Sequence, residues 1–240
     1  MHTRAVRQAL YFHQQVMSAD LRTPHSNRAL LPGQAHMNDQ ATHQVLLIIA
    51  DISGYTKFMV SSDLEIEHSQ HVISELIQTI IRQIEIPLEV SKLEGDAVFL
   101  YVIKDNDTFT WQDIRKVTGE KLILFFDAFH EKLQELGAHS SCPCGACSNL
   151  HALKLKIVVH SGEALFYRIH HFNELSGTDV ILVHRLLKNS AATDEYLLMT
   201  EPAYVDIEFP CQLPVEEGCE HYEHPGQVNT FVYSPAEAAA

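Results

Sequence analysis

Two aspartates that border apolar stretches are the first candidates for chemistry. Asp51 follows the run Val45–Ala50, and Asp96 follows Glu94-Gly95, the tight turn between two strand-like stretches. Two carboxylates brought side by side repel each other, so one holds a proton unless a cation neutralises the pair. Oxygen ligands of this kind suit Mg²⁺ or Mn²⁺ carrying a phosphorylated substrate. The alternative is that each aspartate only caps a turn, where this residue type is common.

Three of the five cysteines lie close together and form a second candidate group. Cys142, Cys144 and Cys147, together with neighbouring histidines, offer enough thiolates and imidazoles for a structural, tetrahedral Zn²⁺ site. Cys211 and Cys219 are candidates for a fourth ligand and equally ordinary core residues. Reduced, inert thiols and a redox switch are the other interpretations. An odd cysteine count at this spacing suits metal or redox chemistry better than a secreted disulfide framework, which predicts a cytoplasmic protein.

Length and composition limit the classes of protein to be considered. The 240 residues, 46% hydrophobic and 20% charged, suffice for one large domain or two small ones. Lys and Arg number 17 against 31 Asp and Glu, and the net charge of −14 repels phosphate backbones and anionic membrane surfaces. The apolar runs are far shorter than the roughly 20 residues that span a membrane. We therefore expect neither a nucleic-acid partner nor a membrane partner.

The elements that position the aspartates follow from apolar periodicity. The pattern predicts strands at Val45–Asp51, Leu88–Lys92, Ala97–Ile103 and Leu153–His160, and helices between Asp63 and Ile84 and from Thr110 to Leu136, the second capped by Gly137. This order predicts an α+β fold, a ferredoxin-like βαββαβ sandwich with C-terminal additions. The sheet order of that sandwich, 4-1-3-2, places Asp51 beside Asp96.

The C-terminal additions and the chain ends complete the organisation. A hairpin-like stretch, a helix and two strands are predicted at Ala164–Asn173, Asp179–Asn189, Tyr196–Thr200 and Thr230–Tyr233. Residues 1–43 are predicted to be a leader, 44–235 one domain and 236–240 a tail. The first 36 residues hold four arginines and one acid, as an organelle transit peptide would. We favour instead a disordered tail, or an upstream start codon with Met37 as the true beginning.

Several motifs resemble the catalytic domain of class III adenylate/guanylate cyclases. The resemblance rests on Ala50–Phe58, the hairpin Ser91–Ala97, the strand Val158–Gly162, the helical segment Gly177–Arg185 and the closing strand Gly226–Phe231. It covers about residues 45–233, and the first two motifs are the specific ones. The chain also resembles an uncharacterised bacterial family of cyclase-like proteins that carry a cysteine-rich loop before the fourth strand.

The resemblance implies a two-metal site for a nucleoside triphosphate. Asp51 and Asp96 would hold two Mg²⁺ or Mn²⁺ ions, helped by the backbone carbonyl of Ile52. The ions would activate the ribose 3′-hydroxyl for attack on the α-phosphate and neutralise the departing pyrophosphate, giving a cyclic 3′,5′-nucleotide. Backbone N–H groups from Ser53 through Gly54 to Tyr55 would bind the β- and γ-phosphates.

Three further side chains match family positions for the base and the transition state. Lys92 matches a purine-reading lysine, and Glu174 stands where these cyclases usually have Asp, so the pair favours adenine and ATP. Arg185 matches an arginine that stabilises charge on the α-phosphate. Solvated surface charges, or a helix-surface salt bridge for Arg185, are the structural alternatives.

Two departures from the family pattern bear on activity. Ile181 replaces a catalytic asparagine and can donate no hydrogen bond to ribose or phosphate. A phosphate-binding lysine is missing from the turn Glu223–Gly226. Loss of one transition-state donor costs on the order of 10²- to 10³-fold in rate. Catalysis is therefore slow, differently arranged or absent.

The resemblance also implies a homodimer, because family active sites draw residues from both subunits. The leading hypothesis is a nucleotidyl cyclase-like protein, a lyase of low or altered activity in signal transduction. The first alternative is a catalytically inactive nucleotide sensor or dimeric interaction module. The second is a zinc-stabilised structural protein without a nucleotide pocket.

Overall fold

The structure is a computed structural model that describes residues 40–61, 66–105, 107–139 and 145–235. Its strands are β1 (Ala41–Ser53), β2 (Glu89–Glu94), β3 (Ala97–Ile103), β4 (Lys154–Ile169), β5 (Phe172–Ser176), β6 (Tyr196–Thr200), β7 (Val215–His221) and β8 (Gln227–Tyr233). Its α-helices are α1 (Tyr55–Ser61), α2 (Ile66–Arg82), α3 (Trp111–His139), α4 (Gly145–Asn149), α5 (Thr178–Arg185) and α6 (Glu201–Asp206). The predicted residue 1–43 leader and 236–240 tail lie largely or wholly outside the described residues and stay predictions.

The strands of the described residues form one sheet in the order β2-β3-β1-β4-β6-β8-β7, with β5 paired to β4. Strands β4 and β6 are parallel, and the other neighbouring strands are antiparallel. The segment β4-β1-β3-β2 has the strand order predicted from the βαββαβ pattern. The α+β fold class is therefore confirmed, and β5 to β8 with α5 and α6 are the C-terminal additions.

Strand β1 lies at the centre of the sheet and is buried on both faces. Every residue from Val45 to Ala50 is fully buried, which explains why the strand reads as a continuous apolar run rather than an alternating one. Leu46 and Ile48 pack into a core with α2 and α3, whereas Leu47 faces a second core that includes Leu182 of α5. The sheet therefore has a face covered by the long helices and a face covered by α5.

The C-terminal ends of two helices differ from the sequence prediction by three or four residues. Gly137 does not end α3: the helix continues to His139, since this glycine has no positive φ and is not in the left-handed conformation that ends many helices. Helix α5 ends at Arg185 rather than Asn189, because the next turn tightens. There Lys188 N–H donates to the Arg185 carbonyl, and the Asn189 side chain donates to the Leu186 carbonyl.

Four elements have no counterpart in the sequence prediction. Helices α1, α4 and α6 are only 7, 5 and 6 residues long, too short for an apolar period to show. Strand β7 pairs only with β8 at the sheet edge, and its sequence VEEGCEH is mostly polar. Strand β4 is also twice the predicted length, since it pairs with β1 along the whole of β1. None of the helices in the described part of the chain combines the length and apolar character of a membrane-spanning helix.

Candidate functional site

The structure brings Asp51 and Asp96 together at one end of the sheet. Asp51 pairs in register with Ala97, the residue that directly follows Asp96. The Ile52 N–H donates to the Asp96 carbonyl at 3.2 Å, which ties the turn between β2 and β3 to β1. Gly95 makes that turn with φ of +71°, a conformation that favours glycine. The two carboxylates are therefore partly buried neighbours at this end of the sheet.

The two carboxylates influence each other electrostatically. Burial is the largest of the causes that raise the pKa of Asp96 to about 6; the negative charge of Asp51 and a hydrogen bond with Asp51 also raise it, while the Lys156 ammonium opposes the shift. A carboxyl group that resists ionisation next to a second carboxylate is the arrangement that a cation relieves. The pair therefore has the electrostatic character of a cation site.

Lys156 is a member of this site that the sequence analysis missed. It pairs in register with Asp51 across β1 and β4, so both side chains lie on the same face of the sheet. Its ammonium Nζ lies 2.7 Å from Asp51 Oδ2. Only the strand register reveals this contact, because Lys156 lies far along the chain from Asp51.

A polar network supports Lys156 from the neighbouring strand. Tyr196 of β6 pairs with Lys156 in register, is buried, and accepts a hydrogen bond from Asn189 Nδ2 at 2.6 Å. Burial raises the pKa of the Tyr196 hydroxyl, so it is neutral at physiological pH. The same Asn189 side chain accepts a bond from the Ala191 N–H. Asn189 therefore fixes the Tyr196 side chain on the strand next to Lys156.

The turn Ser53–Tyr55 lies directly beyond Asp51. Gly54 has φ of +86°, and a Cβ at this position would lie 2.6 Å from the Ala152 carbonyl oxygen. Only glycine therefore fits between β1 and the segment that precedes β4. The side chain of Ile52 is buried in the core beneath α2 and α3, so this residue could approach a ligand only with its backbone.

Lys92 and Glu174 contact each other. Lys92 Nζ donates to Glu174 Oε2 at 2.6 Å, which links β2 to β5. A second pair lies next to it along β2: His184 Nε2 is 3.1 Å from Glu94 Oε2, and the His184 ring packs edge-on against Phe99. Neither Glu94 nor His184 was a predicted site residue.

The exposed face of α5 is organised differently. Ile181 is 54% exposed and lines a surface depression of about 390 Å³ with Arg185 and Lys188. The Arg185 guanidinium donates to the backbone carbonyl of His224, in the turn between β7 and β8. Arg185 is therefore positioned by that hairpin. In the described single chain, its hydrogen bond is to backbone rather than to either aspartate.

Helix α5 is anchored to β4 through Asp179. Its Oδ2 accepts the Glu163 N–H at 2.7 Å, and its Oδ1 lies 3.3 Å from Nε2 of the buried His160. His160 Nδ1 contacts the Thr200 hydroxyl at 2.9 Å. Burial lowers the pKa of His160, and the Asp179 carboxylate opposes that shift. Gly162 leaves the space that the Asp179 carboxylate occupies, because a Cβ there would lie 2.2 Å from Oδ2.

Only part of the cysteine group lies within the described residues. Cys142 and Cys144 lie outside them. Cys147 Sγ lies 3.6 Å from His68 Nε2 of α2. Two ligands of one tetrahedral Zn²⁺ with ordinary Zn–S and Zn–N bonds are about 3.6 Å apart. His68 is thus a candidate ligand that sequence spacing could not find.

The two cysteines predicted as alternative fourth ligands lie elsewhere. Cys211 is exposed, and Cys219 of β7 has its Sγ 3.9 Å from His221 Nδ1. Among the residues that the structure describes, no three His, Cys, Asp or Glu side chains converge on one point. Any metal at Asp51 and Asp96 would thus complete its coordination with backbone, water or ligand oxygens.

Solved structures with a similar fold are nucleotide cyclases and a related protein. The adenylyl cyclase CyaB from P. aeruginosa has a TM-score of 0.58 at 15% identity, covering 82% of this chain and 97% of that chain. A bacterial light-regulated adenylyl cyclase has a TM-score of 0.60 at 16% identity, covering 82% and 53%. A class III adenylyl cyclase-like ATP-binding protein from Pseudomonas aeruginosa has a TM-score of 0.57 at 14% identity, covering 70% and 36%. At such identities the likeness shows the fold.

Sequence comparison finds a relative and a family. The chain is 30% identical over 129 residues to an uncharacterised protein of Mycobacterium tuberculosis (strain ATCC 25618 / H37Rv). The match covers 54% of this chain and 57% of that protein, so the chain spans little more than half of its relative's length. Residues 73–196, just over half of the chain, match the family described as "Protein of unknown function (DUF2652)". The chain therefore belongs to that family, and its fold is that of the class III nucleotide cyclases.

Proposed function

We propose that this chain is a class III cyclase-like protein that binds a purine nucleoside triphosphate with Mg²⁺ or Mn²⁺ through Asp51 and Asp96. The observation that carries the proposal is the convergence of these two carboxylates at one end of the sheet. Their position in a cyclase-type fold supports a nucleotide as the ligand.

The donor set at this end of the sheet fits a divalent cation that arrives with a phosphorylated ligand. Mg²⁺ is commonly bound by one or two carboxylates, with waters and substrate phosphates completing its shell. Asp51 and Asp96, with the Ile52 carbonyl, would supply the protein's share of that set. Bound cations would lower the pKa of the ribose 3′-hydroxyl and neutralise the triphosphate.

Other residues of the chain would orient the nucleotide. Backbone N–H groups of the Ser53–Tyr55 turn, next to the carboxylates, would donate to phosphate oxygens. Lys92 and Glu174, already in contact at 2.6 Å, offer one donor and one acceptor to a purine edge. Adenine presents a complementary acceptor and donor, so ATP is the favoured ligand.

Turnover is proposed to be slow, because α5 offers little to the transition state. Ile181 is exposed and can donate no hydrogen bond. Arg185 is bonded to the His224 carbonyl and would stabilise the α-phosphate only after release from it. A homodimer in which α5 reaches the partner's nucleotide is part of the proposal. The same two observations favour the alternative, a catalytically inactive nucleotide sensor or dimeric interaction module.

A product assay separates the cyclase from the sensor. Purified protein is incubated with Mn²⁺ and each of ATP, GTP, CTP and UTP, and cyclic 3′,5′-nucleotides are measured by mass spectrometry. We expect slow formation of cyclic AMP that is lost in Asp51→Asn and in Asp96→Asn. Nucleotide binding without any cyclic product would identify the sensor. Product that survives both substitutions would contradict the two-carboxylate site.

We also propose a structural role for Zn²⁺ at the cysteine group. The supporting observation is the 3.6 Å contact between Cys147 Sγ and His68 Nε2. Cys142 and Cys144 enter this proposal through their sequence spacing alone, and the four side chains would form a Cys₃His set. The ion would join α4 to the beginning of α2 and so stabilise the domain.

Metal content and melting temperature test the zinc site. We expect one tightly bound Zn²⁺ per chain by elemental analysis, lost in Cys147→Ser and in His68→Ala together with a lower melting temperature. His71→Ala is the matched control, since His71 is an exposed histidine on the same helix. Zinc content unchanged in His68→Ala would exclude this histidine as a ligand, and zinc-free wild-type protein would contradict the site.

A further inference from the structure

The ammonium group of Lys156 lies where a cation is expected. Lys156 Nζ is 2.7 Å from Asp51 Oδ2, and only 21% of the Lys156 side chain and 13% of the Asp51 side chain are exposed. Burial of both groups makes the contact stronger than an ion pair at the surface. The direct register of Lys156 with Asp51 holds the two side chains on one face of the sheet.

The groups that face this ammonium come from two strands and one turn. Asp51 lies on β1, Asp96 lies in the turn between β2 and β3, and Tyr196 on β6 is neutral. Lys156 itself lies on β4. The site therefore holds two acidic groups and one resident positive charge. A site with the two carboxylates alone would have no such internal counter-charge.

We infer that Lys156 occupies one of the two cation positions of this carboxylate pair, so that the site binds one divalent cation where two free carboxylates would bind two. The inference rests on the proposed function and names the cation stoichiometry of the same site. Ions in a two-metal site lie about 3.5–4 Å apart. An ammonium already in contact with Asp51 repels a second divalent ion at that range.

Displacing the ammonium is costly. Lys156 would have to leave Asp51 and move its positive charge within a half-buried environment, where an unpaired charge is unfavourable. On the adjoining strand β6, the Asn189 side chain donates a hydrogen bond to the Tyr196 hydroxyl. The lysine therefore has a fixed neighbour on that side. Lys156 thus acts as a specificity-determining residue for the number and affinity of bound cations.

The test is a titration of the full chain with Mn²⁺ in the absence of nucleotide. The concentration of free Mn²⁺ is measured at each point by electron paramagnetic resonance. Wild type is expected to bind one Mn²⁺ at this site. Lys156→Met is expected to bind a second ion and to bind the first at least tenfold more tightly. Lys156→Arg, which keeps the charge, should match wild type. Lys116→Met is the charge-matched control, since Lys116 is half exposed on α3 and pairs with Glu208.

The outcomes separate this inference from the proposed function. Equal stoichiometry and affinity in wild type and Lys156→Met would overturn the inference and leave the metal site standing. A lack of Mn²⁺ binding in both would contradict the metal site of the proposed function itself. Lys156→Gln, which retains a hydrogen-bond donor to Asp51, is measured in parallel, and melting curves establish that the variants are folded. Tight binding of a second Mn²⁺ by Lys156→Gln would support the inference, as the same result for Lys156→Met would.

Discussion

The carboxylate site and helix α5 lie on the same face of the sheet but differ in how they relate to a cyclase active site. At the carboxylate site, Asp51 and Asp96 adjoin each other and Lys92 contacts Glu174. On α5, the family's asparagine position holds the exposed Ile181, and Arg185 bonds to a backbone carbonyl. One region has the groups that the proposed nucleotide site requires, and the other lacks the amide donor of the family pattern.

This difference separates ground-state binding from transition-state stabilisation. Carboxylates that hold a cation, and a donor–acceptor pair for a base, contribute to binding before any bond changes. A donor to the transferring phosphate contributes mainly in the transition state. A protein that has the first set without the second is expected to bind better than it turns over.

The largest predicted effect concerns the anchor that holds α5 in place. In Gly162→Ala, the new Cβ would lie 2.2 Å from Asp179 Oδ2, so Asp179 must turn away from the Glu163 N–H and from His160. We expect the free energy of unfolding to fall by about 2–3 kcal/mol, measured by urea denaturation.

A double-mutant cycle identifies the cause of that loss. In an Asp179→Ala background, Gly162→Ala should cost less than about 1 kcal/mol, because the clashing carboxylate is gone. An equal loss of free energy of unfolding in both backgrounds would show that the clash with Asp179 is not the cause of the loss.

The second prediction restores a donor to α5. In Ile181→Asn, formation of cyclic nucleotide in Mn²⁺ should rise about tenfold, less than the full contribution of a preorganised donor. Nucleotide affinity should stay within about twofold of wild type. Val205→Asn on α6 is the matched control, since Val205 is 65% exposed and lies on another helix. Turnover in Ile181→Asn no higher than in this control would mean that the missing amide does not limit catalysis.

The smallest predicted effect is a pH dependence of stability from Asp96. Burial and the Asp51 charge raise the pKa of Asp96 from 3.8 to about 6, so the folded state keeps a proton that the unfolded chain loses between these values. Stability from this group therefore falls as pH rises from about 4 to 6. Asp96→Asn stays neutral and should be more stable than wild type by about 1 kcal/mol at pH 7, after allowance for solvent screening.

The difference in free energy of unfolding between Asp96→Asn and wild type should shrink towards zero near pH 4. Urea unfolding at several pH values in EDTA measures it without interference from divalent cations. A difference that does not change between pH 4.5 and 7 would rule out the raised pKa as its source.

The adjacency of the aspartates could be predicted from the sequence, because it follows from local signals. The apolar run before Asp51 and the Glu94-Gly95 turn define two strands that a βαββαβ order must bring together. The position of Lys156 could not be predicted, since it depends on the register between distant strands. The contact of His68 with Cys147 likewise depends on the packing of α2 near α4.

The prediction of secondary structure from the sequence failed where local signals were weak or misleading. Gly137 looks like a helix end in the sequence, but α3 continues through it because nothing there requires a left-handed residue. Strand β7 has no apolar alternation, since it is an edge strand with one partner. Its importance lies in the hairpin with β8, whose His224 carbonyl holds Arg185, and nothing in the local sequence marks that contact.

The most direct test is equilibrium binding of ATP by calorimetry, in Mn²⁺ and in EDTA, to wild type and to the double variant Asp51→Asn with Asp96→Asn. We predict that wild type binds ATP in Mn²⁺, and that affinity falls at least tenfold in EDTA and in the double variant. Equal ATP affinity in all of these conditions, or no ATP binding by wild type in Mn²⁺, would contradict nucleotide binding through the two carboxylates.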